Sequence, residues 1–229
     1  MTILGLNYYL RCMRIIFSLF LLMSFNSAVA QDTLKWLSVG FNTQAYKGDL
    51  GDKYSKWTGG LYTSLQFKTQ KKWNGSVNLI IGNVTGQDLN PVFNVSPESG
   101  RQPNTYFSNS FVAAYYQLHW NVYLRSRLRV FLGQGIGLMR YNAKDEQGVS
   151  LANQTNTRAA NESAGNIALL LPTSLGTAYR FKNNFGVSYK FTLLNTATDY
   201  LDNISQLGGV TGGDNVLAHQ VSLLVPIYF

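Results

Sequence analysis

Two histidines, His119 and His219, are the side chains here best placed to move a proton, because unperturbed imidazole titrates close to neutral pH. With a serine in hydrogen-bond reach, such a histidine would activate a hydrolytic nucleophile. A lipid hydrolase acting through His119 is one reading, although no local motif supports it. His119 alternates with Gln117 and Asn121, which reads as a polar inward face that satisfies the imidazole. His219 falls on the opposite, apolar parity of the last segment. "GQGIG" (133–137) is glycine-rich, but it continues a strand and opens no helix, so it is not a phosphate loop. Its glycines are read as relieving crowding inside a narrow fold. There is no Cys/His set for zinc, since Cys12 is the one cysteine. No catalytic residue, cofactor or metal ligand is assigned, and the chain is read as non-enzymatic.

The element that would deliver such a chain comes first. Residues 13–30, "MRIIFSLFLLMSFNSAVA", follow Arg11, include Arg14, and end on the small-x-small triplet Ala28-Val29-Ala30. This is the layout of a secretory leader, and its apolar run is too short to span a membrane as a helix. The expected division is a signal peptide over 1–30 and one domain over 31–229, with Met1 and Met13 both open as the start. Beyond Cys12 the mature chain has no cysteine, so it has no disulfide framework.

The mature sequence alternates with the period of strands. Leu61, Thr63, Leu65 and Phe67 oppose Tyr62, Ser64 and Gln66. Val112, Ala114, Tyr116, Leu118, Trp120 and Val122 oppose Gln117, His119 and Asn121. The same alternation appears near 77–81, 130–138, 167–180 and 185–193. Adding strands near 34–46 and 216–229 makes eight. Several run to ten residues or more, as a tilted bilayer-crossing strand requires (~9–11 residues). Connections near 69–72, 124–127 and 182–184 are short, whereas those near 47–57, 87–106, 143–162 and 195–215 are long. The expected fold is all-β: an eight-stranded antiparallel transmembrane β-barrel of the outer-membrane type. It closes on itself because lipid leaves no backbone group unpaired, and both termini are expected on the periplasmic side. Trp36, Trp57, Trp73 and Trp120 are expected in aromatic girdles at strand ends. Pro172 requires a bulge or a later start to strand six.

The last strand ends "HQVSLLVPIYF". Val221, Leu223, Val225, Ile227 and Phe229 form one apolar file, expected to be the signal read by barrel-insertion machinery. Without Arg11 and Arg14 the chain carries 17 basic against 11 acidic side chains, a net charge of +6. Apart from Asp32, the acids fall in the long loops. The short-turn edge carries Lys68, Lys71, Lys72, Arg125, Arg127, Arg129, Arg180 and Lys182. This ring either meets leaflet phosphates or docks a periplasmic partner. Nucleic acid is not expected as a partner of an envelope barrel; outer-membrane lipid is.

Four stretches resemble PorG-like outer-membrane barrels: "QAYKGDLGD" (44–52), "IIGNVTGQD" (80–88), "TYFSNSFVAAYYQLHWN" (105–121) and "TATDYLDNIS" (196–205). The fourth, with Asp199, Tyr200, Leu201 and Asp202, is the most specific. The chain departs from the family pattern at Ala113, Ala114, Gln117 and Asn203. The resemblance implies a Bacteroidetes type IX secretion component, or a paralogue, that anchors periplasmic ring proteins. The leading expectation is thus a structural anchor related to protein secretion. The alternative is a small porin or surface-binding barrel of the OmpX or OmpW kind with acidic extracellular loops, and the lipid hydrolase is third.

Overall fold

The computed structural model describes residues 35–51, 53–91, 93–94, 100–163, 165–208 and 213–227. The expected leader (1–30), Asp32, Asp52, Glu98 and Phe229 lie outside the described residues.

Eight strands form one closed antiparallel barrel in chain order. They are β1 (Lys35–Lys47), β2 (Trp57–Phe67), β3 (Trp73–Gln87), β4 (Tyr106–Leu124), β5 (Leu128–Lys144), β6 (Ile167–Arg180), β7 (Gly186–Thr196) and β8 (Asn215–Ile227). Closure is made by β1 against β8, in register from Lys35↔Ile227 to Lys47↔Asn215. The starts of β1 and the end of β8 therefore lie at the end of the barrel where the turns 68–72, 125–127 and 181–185 also lie. The connections 48–56, 88–105, 145–166 and 197–214 occupy the opposite, long-loop end.

Period-two alternation sorts the side chains. Large apolar groups stand exposed on the outward file of the strands, among them Phe41, Leu61, Ile81, Leu118, Ile136, Leu169, Phe191 and Leu223. In water such a continuous belt would be a liability; facing lipid, it is what holds a barrel in place. Trp73 and Trp120 stack at 6.0 Å near the short-turn end, and Trp57 stands outward at the long-loop end.

The interior is filled by side chains, as an eight-stranded circumference dictates, and it is layered. At the long-loop end Ile80, Phe107, Phe111, Met139, Leu170 and Leu194 form an apolar cluster. A polar layer follows, with Asn78, Gln117, His119, Lys190 and Gln220 buried together with several hydroxyls. A small apolar seal of Trp36, Ala178 and Leu224 closes the short-turn end. Trp36 is thus an interior residue, 2 % exposed, and not a girdle member, because the alternation of β1 turns it inward under Arg129, whose guanidinium lies 5.4 Å from its ring.

Pro172 needs no bulge. β6 begins before it and stays in register with β7 through Pro172↔Leu194. On its other side the ladder to β5 omits two pairs between Gly137↔Leu170 and Gln134↔Thr173 without slipping. Gly135 opposes the proline there, and a Cβ on it would stand 2.9 Å from the Pro172 ring. The glycine is thus what admits the proline, and the expectation that "GQGIG" relieves crowding holds. Among the described residues the ladders shift register once, between Asn121 and Tyr123 in the pairing of β4 with β5, where the bulged strand turns both Val122 and Tyr123 outward.

Candidate functional site

The long-loop end is where separate stretches of sequence meet. β1 delivers Tyr46 inward at its last turn of alternation, 4 % exposed. Its hydroxyl bonds the carboxylate of Asp202 and lies 3.1 Å from Asp214 Oδ1. Asp202 accepts further bonds from the backbone N–H of Asp49 (3.1 Å) and of Ile204 (2.9 Å). Asp214 accepts one from Leu201 N–H at 2.8 Å. Asn109, inside β4, donates to Leu201 O at 2.5 Å. The segment Leu201–Ile204 is consequently buried, pinned across the barrel mouth above the apolar cluster.

Glycine makes the approach feasible. A Cβ on Gly48 would fall 2.0 Å from Asp214 Oδ1. Gly51 adopts φ +89, a left-handed conformation in which a side chain is strained, and Leu50 packs fully buried beside it. A Cβ on Gly86 would meet Leu50 O at 2.5 Å. The stretches 44–52, 80–88 and 196–205 therefore converge on one latch around Tyr46.

Burial dominates the electrostatics. Desolvation pushes the Asp202 carboxyl up to about 7, with the nearby Asp49 charge adding to it and the Tyr46 and backbone donors opposing it. Asp214 is raised well above the ordinary carboxylate range, first by burial and then by the charge of Asp202. Tyr46 has one proton for two carboxylate oxygens, so the second contact is a hydrogen bond only when one aspartate is protonated. Burial, which raises both carboxyls, favours retention of that proton.

The other long loops lock onto this latch. Asn104 Nδ2 donates to Asp202 O at 2.9 Å, and Asn203 Nδ2 donates to Thr157 Oγ1 at 2.8 Å. Arg101 Nη1 donates to the carbonyls of Thr155 and Arg158. Asn94 N donates to Leu207 O at 3.0 Å. Arg158 is itself buried and donates to Ala152 O. The loops form a knitted cap, and its acidity is less than the sequence suggests because Asp202 and Asp214 face inward.

Of the residues singled out from sequence, Asp199 and Tyr200 lie half-buried at the edge of the cap, and Leu201 and Asp202 lie beneath it. On the rim, Lys68, Lys71, Lys72, Arg125, Arg127 and Lys182 are exposed and Arg180 is half-buried. Arg129 does not belong there. It is 3 % exposed, turned inward between outward Leu128 and Val130, bonded to Gln66 and set 4.8 Å from the Phe131 ring. Val221, Leu223, Val225 and Ile227 share the outward file of β8. His219 is also outward, with Nδ1 2.5 Å from Tyr189 OH and its ring 5.0 Å from Trp57.

His119 is buried and satisfied. Nε2 lies 3.3 Å from Ser76 Oγ and 3.2 Å from Gln117 Oε1, while Nδ1 lies 3.2 Å from Asn74 Oδ1. A serine does stand in reach of a histidine, but both are sealed inside the barrel wall, away from lipid. Among the described residues no three His, Cys, Asp or Glu side chains are grouped to hold a metal ion. Tyr46, Asp214 and the interior cation Lys190, which bonds Asn78 Oδ1 at 3.0 Å, were not singled out from sequence as site residues.

Fold and cap define the class: a closed eight-stranded barrel of the outer-membrane type with its long-loop mouth shut. No protein-family model matches the sequence, and no curated protein matches it. Among solved structures, the chain is similar to Ail, the attachment invasion locus protein of Yersinia pestis, in complex with the heparin analogue sucrose octasulfate. That match has 11 % identity and a TM-score of 0.50, covering 86 % of this chain and 100 % of Ail. Neisserial surface protein A matches at 12 % identity over 85 % of this chain and 97 % of its own, with a TM-score of 0.49. The outer membrane protein OprG from Pseudomonas aeruginosa matches at 12 % identity over 87 % of this chain and 98 % of its own, with a TM-score of 0.43. At these identities the likeness is one of fold.

Proposed function

We propose that the chain is a non-enzymatic integral barrel of the outer membrane that presents its interlocked long loops as a preformed binding surface, and is not a pore. The carrying observation is the latch: Leu201, Asp202 and Ile204 are buried across the mouth and tied to β1 through Tyr46. A rigid cap lowers the ordering cost of binding a partner, and a blocked mouth over a filled interior opposes conduction. In this reading the long loops face outward and the short turns and termini face the periplasm. The outward file Val221–Ile227 supports an insertion signal recognised by the barrel-insertion machinery. The test is conductance in planar bilayers. The purified barrel gives no unitary steps; stable steps from the intact chain would replace this reading with a porin.

A second reading is favoured by the rim. Six exposed cations and half-buried Arg180 crowd the short turns, and among the described residues no carboxylate lies in turns 68–72, 125–127 or 181–185. Together with the PorG-like resemblance this supports anchoring of a periplasmic ring in type IX secretion. Deletion of the gene, followed by mass spectrometry of the culture medium, tests it: secreted proteins stay in the periplasm if the barrel anchors the ring, and an unchanged secretome removes the reading.

A further inference from the structure

The lattice of the barrel brings two outward rows together across β2 to β5. Leu61, Ile81, Val112 and Arg140 stand side by side in one row. Asn83, Ser110 and Asn142 stand in the next row toward the loops, with Gly59 on β2 beside them. Above Leu61↔Ile81 the ladder between β2 and β3 stops, although β1 pairs with β2 as far as Trp57 and β3 pairs with β4 as far as Gln87. Gln44 fills the parting from inside, donating to Gly59 O at 3.2 Å and Asn83 O at 3.1 Å. Outside it lies a groove of about 530 Å³ lined by these rows.

The residues around this groove call for an occupant. Arg140 is exposed on the lipid-facing file, and its guanidinium makes no hydrogen bond or ion pair among the described residues. A cation at that height, level with Ile81 and Val112, is costly unless an anion meets it. Gly59 leaves its side of the groove open, with nothing within 4 Å of the position a Cβ would take. Asn142 accepts from Ser150 Oγ at 3.0 Å, which leaves its amide NH₂ as a donor. Lys144 follows on the same file, exposed.

We propose that this groove holds a phosphorylated lipid of the outer leaflet. An acyl chain lies over Gly59, Leu61 and Ile81, and the phosphate sits against Arg140 and Asn142. The guanidinium fork matches phosphate oxygens in pairs, and the strand parting supplies the recess. The inference rests on the barrel spanning an outer membrane, but the site itself is measurable in detergent.

The experiment is native mass spectrometry of the purified barrel with a bisphosphorylated acylated glucosamine disaccharide and with its phosphate-free form. Wild type retains the phosphorylated lipid about tenfold better, as expected for charge-assisted hydrogen bonds. Arg140→Gln abolishes the preference, and Arg140→Lys keeps part of it. Gly59→Leu, which fills open space, lowers retention of both lipids. Equal retention of the two lipids by wild type, or an undiminished preference in Arg140→Gln, overturns the proposal. A gel shift on heating confirms that each variant is folded, so loss of this site is read separately from loss of the barrel.

Discussion

Tyr46 and Asp214 stand 3.1 Å apart, hydroxyl to carboxylate, although one ends the first strand and the other precedes the last. With Asp202 on the far side of the same hydroxyl, they fasten the fourth long loop over the barrel mouth. Both carboxyls have folded-state pKa values above the ordinary carboxylate range. Their protonation therefore favours the latched state, fully so at acid pH, and the benefit fades as pH rises through about 7. Hydrogen exchange of residues 197–208, corrected for intrinsic rate, is expected to speed up between about pH 5 and about pH 8. Asp202→Asn, which removes the carboxyl that titrates near 7, is expected to flatten that dependence. Protection that stays constant over the range would show that the aspartates do not govern the cap.

Gly135 and Pro172 form a second coupled pair. A Cβ at 135 would stand 2.5 Å from Tyr116 O and 2.9 Å from the proline ring. Gly135→Ala is expected to cost ~1–3 kcal/mol by overpacking. Pro172→Ala in the same chain recovers part of the loss, because only one of the two clashes is removed. Urea midpoints in detergent for the four members of the cycle measure this coupling; strict additivity would argue against it.

Ser76 and His119 are hydrogen-bonded but enclosed. Ser76→Ala is expected to leave any phospholipid hydrolysis by the preparation at the wild-type level. His119→Ala removes a stacked partner of Phe131, 4.6 Å away, and is expected to lower stability by ~2–4 kcal/mol through the cavity and the stranded amides. A wild-type lipase activity that Ser76→Ala abolishes would instead restore the hydrolase reading.

Arg129 gives a way to separate interior from rim. Its Nε and Nη1 find no partner inside the barrel, so burial of the charge is poorly compensated. Arg129→Met is expected to keep the unfolding free energy from urea titration within about 1 kcal/mol of wild type, whereas Arg129→Ala lowers it by ~2–4 kcal/mol. If the rim docks a partner, Lys71→Glu with Lys72→Glu weakens that binding and Arg129→Met leaves it unchanged.

The fold was legible because a barrel wall between lipid and a filled interior forces every strand to alternate. Leu61 against Tyr62, Leu118 against His119 and Phe191 against Lys190 each declare their side, and the loop lengths declare the two ends. The same alternation would have placed Trp36 and Arg129 inside; grouping them by their position near a chain end or a turn concealed it, since sequence position along a strand says how high a residue sits and parity says which way it faces. What the sequence by itself determined is therefore strand number, facing and the division into short turns and long loops, all of them consequences of local period and hydrophobicity. Only the tertiary structure decided that Tyr46 meets Asp202 and Asp214, that Leu201 is a plug, and that β2 parts from β3 beside Arg140. Those depend on register between strands and on contacts between a strand and a loop more than a hundred residues apart, which no local pattern of residues encodes.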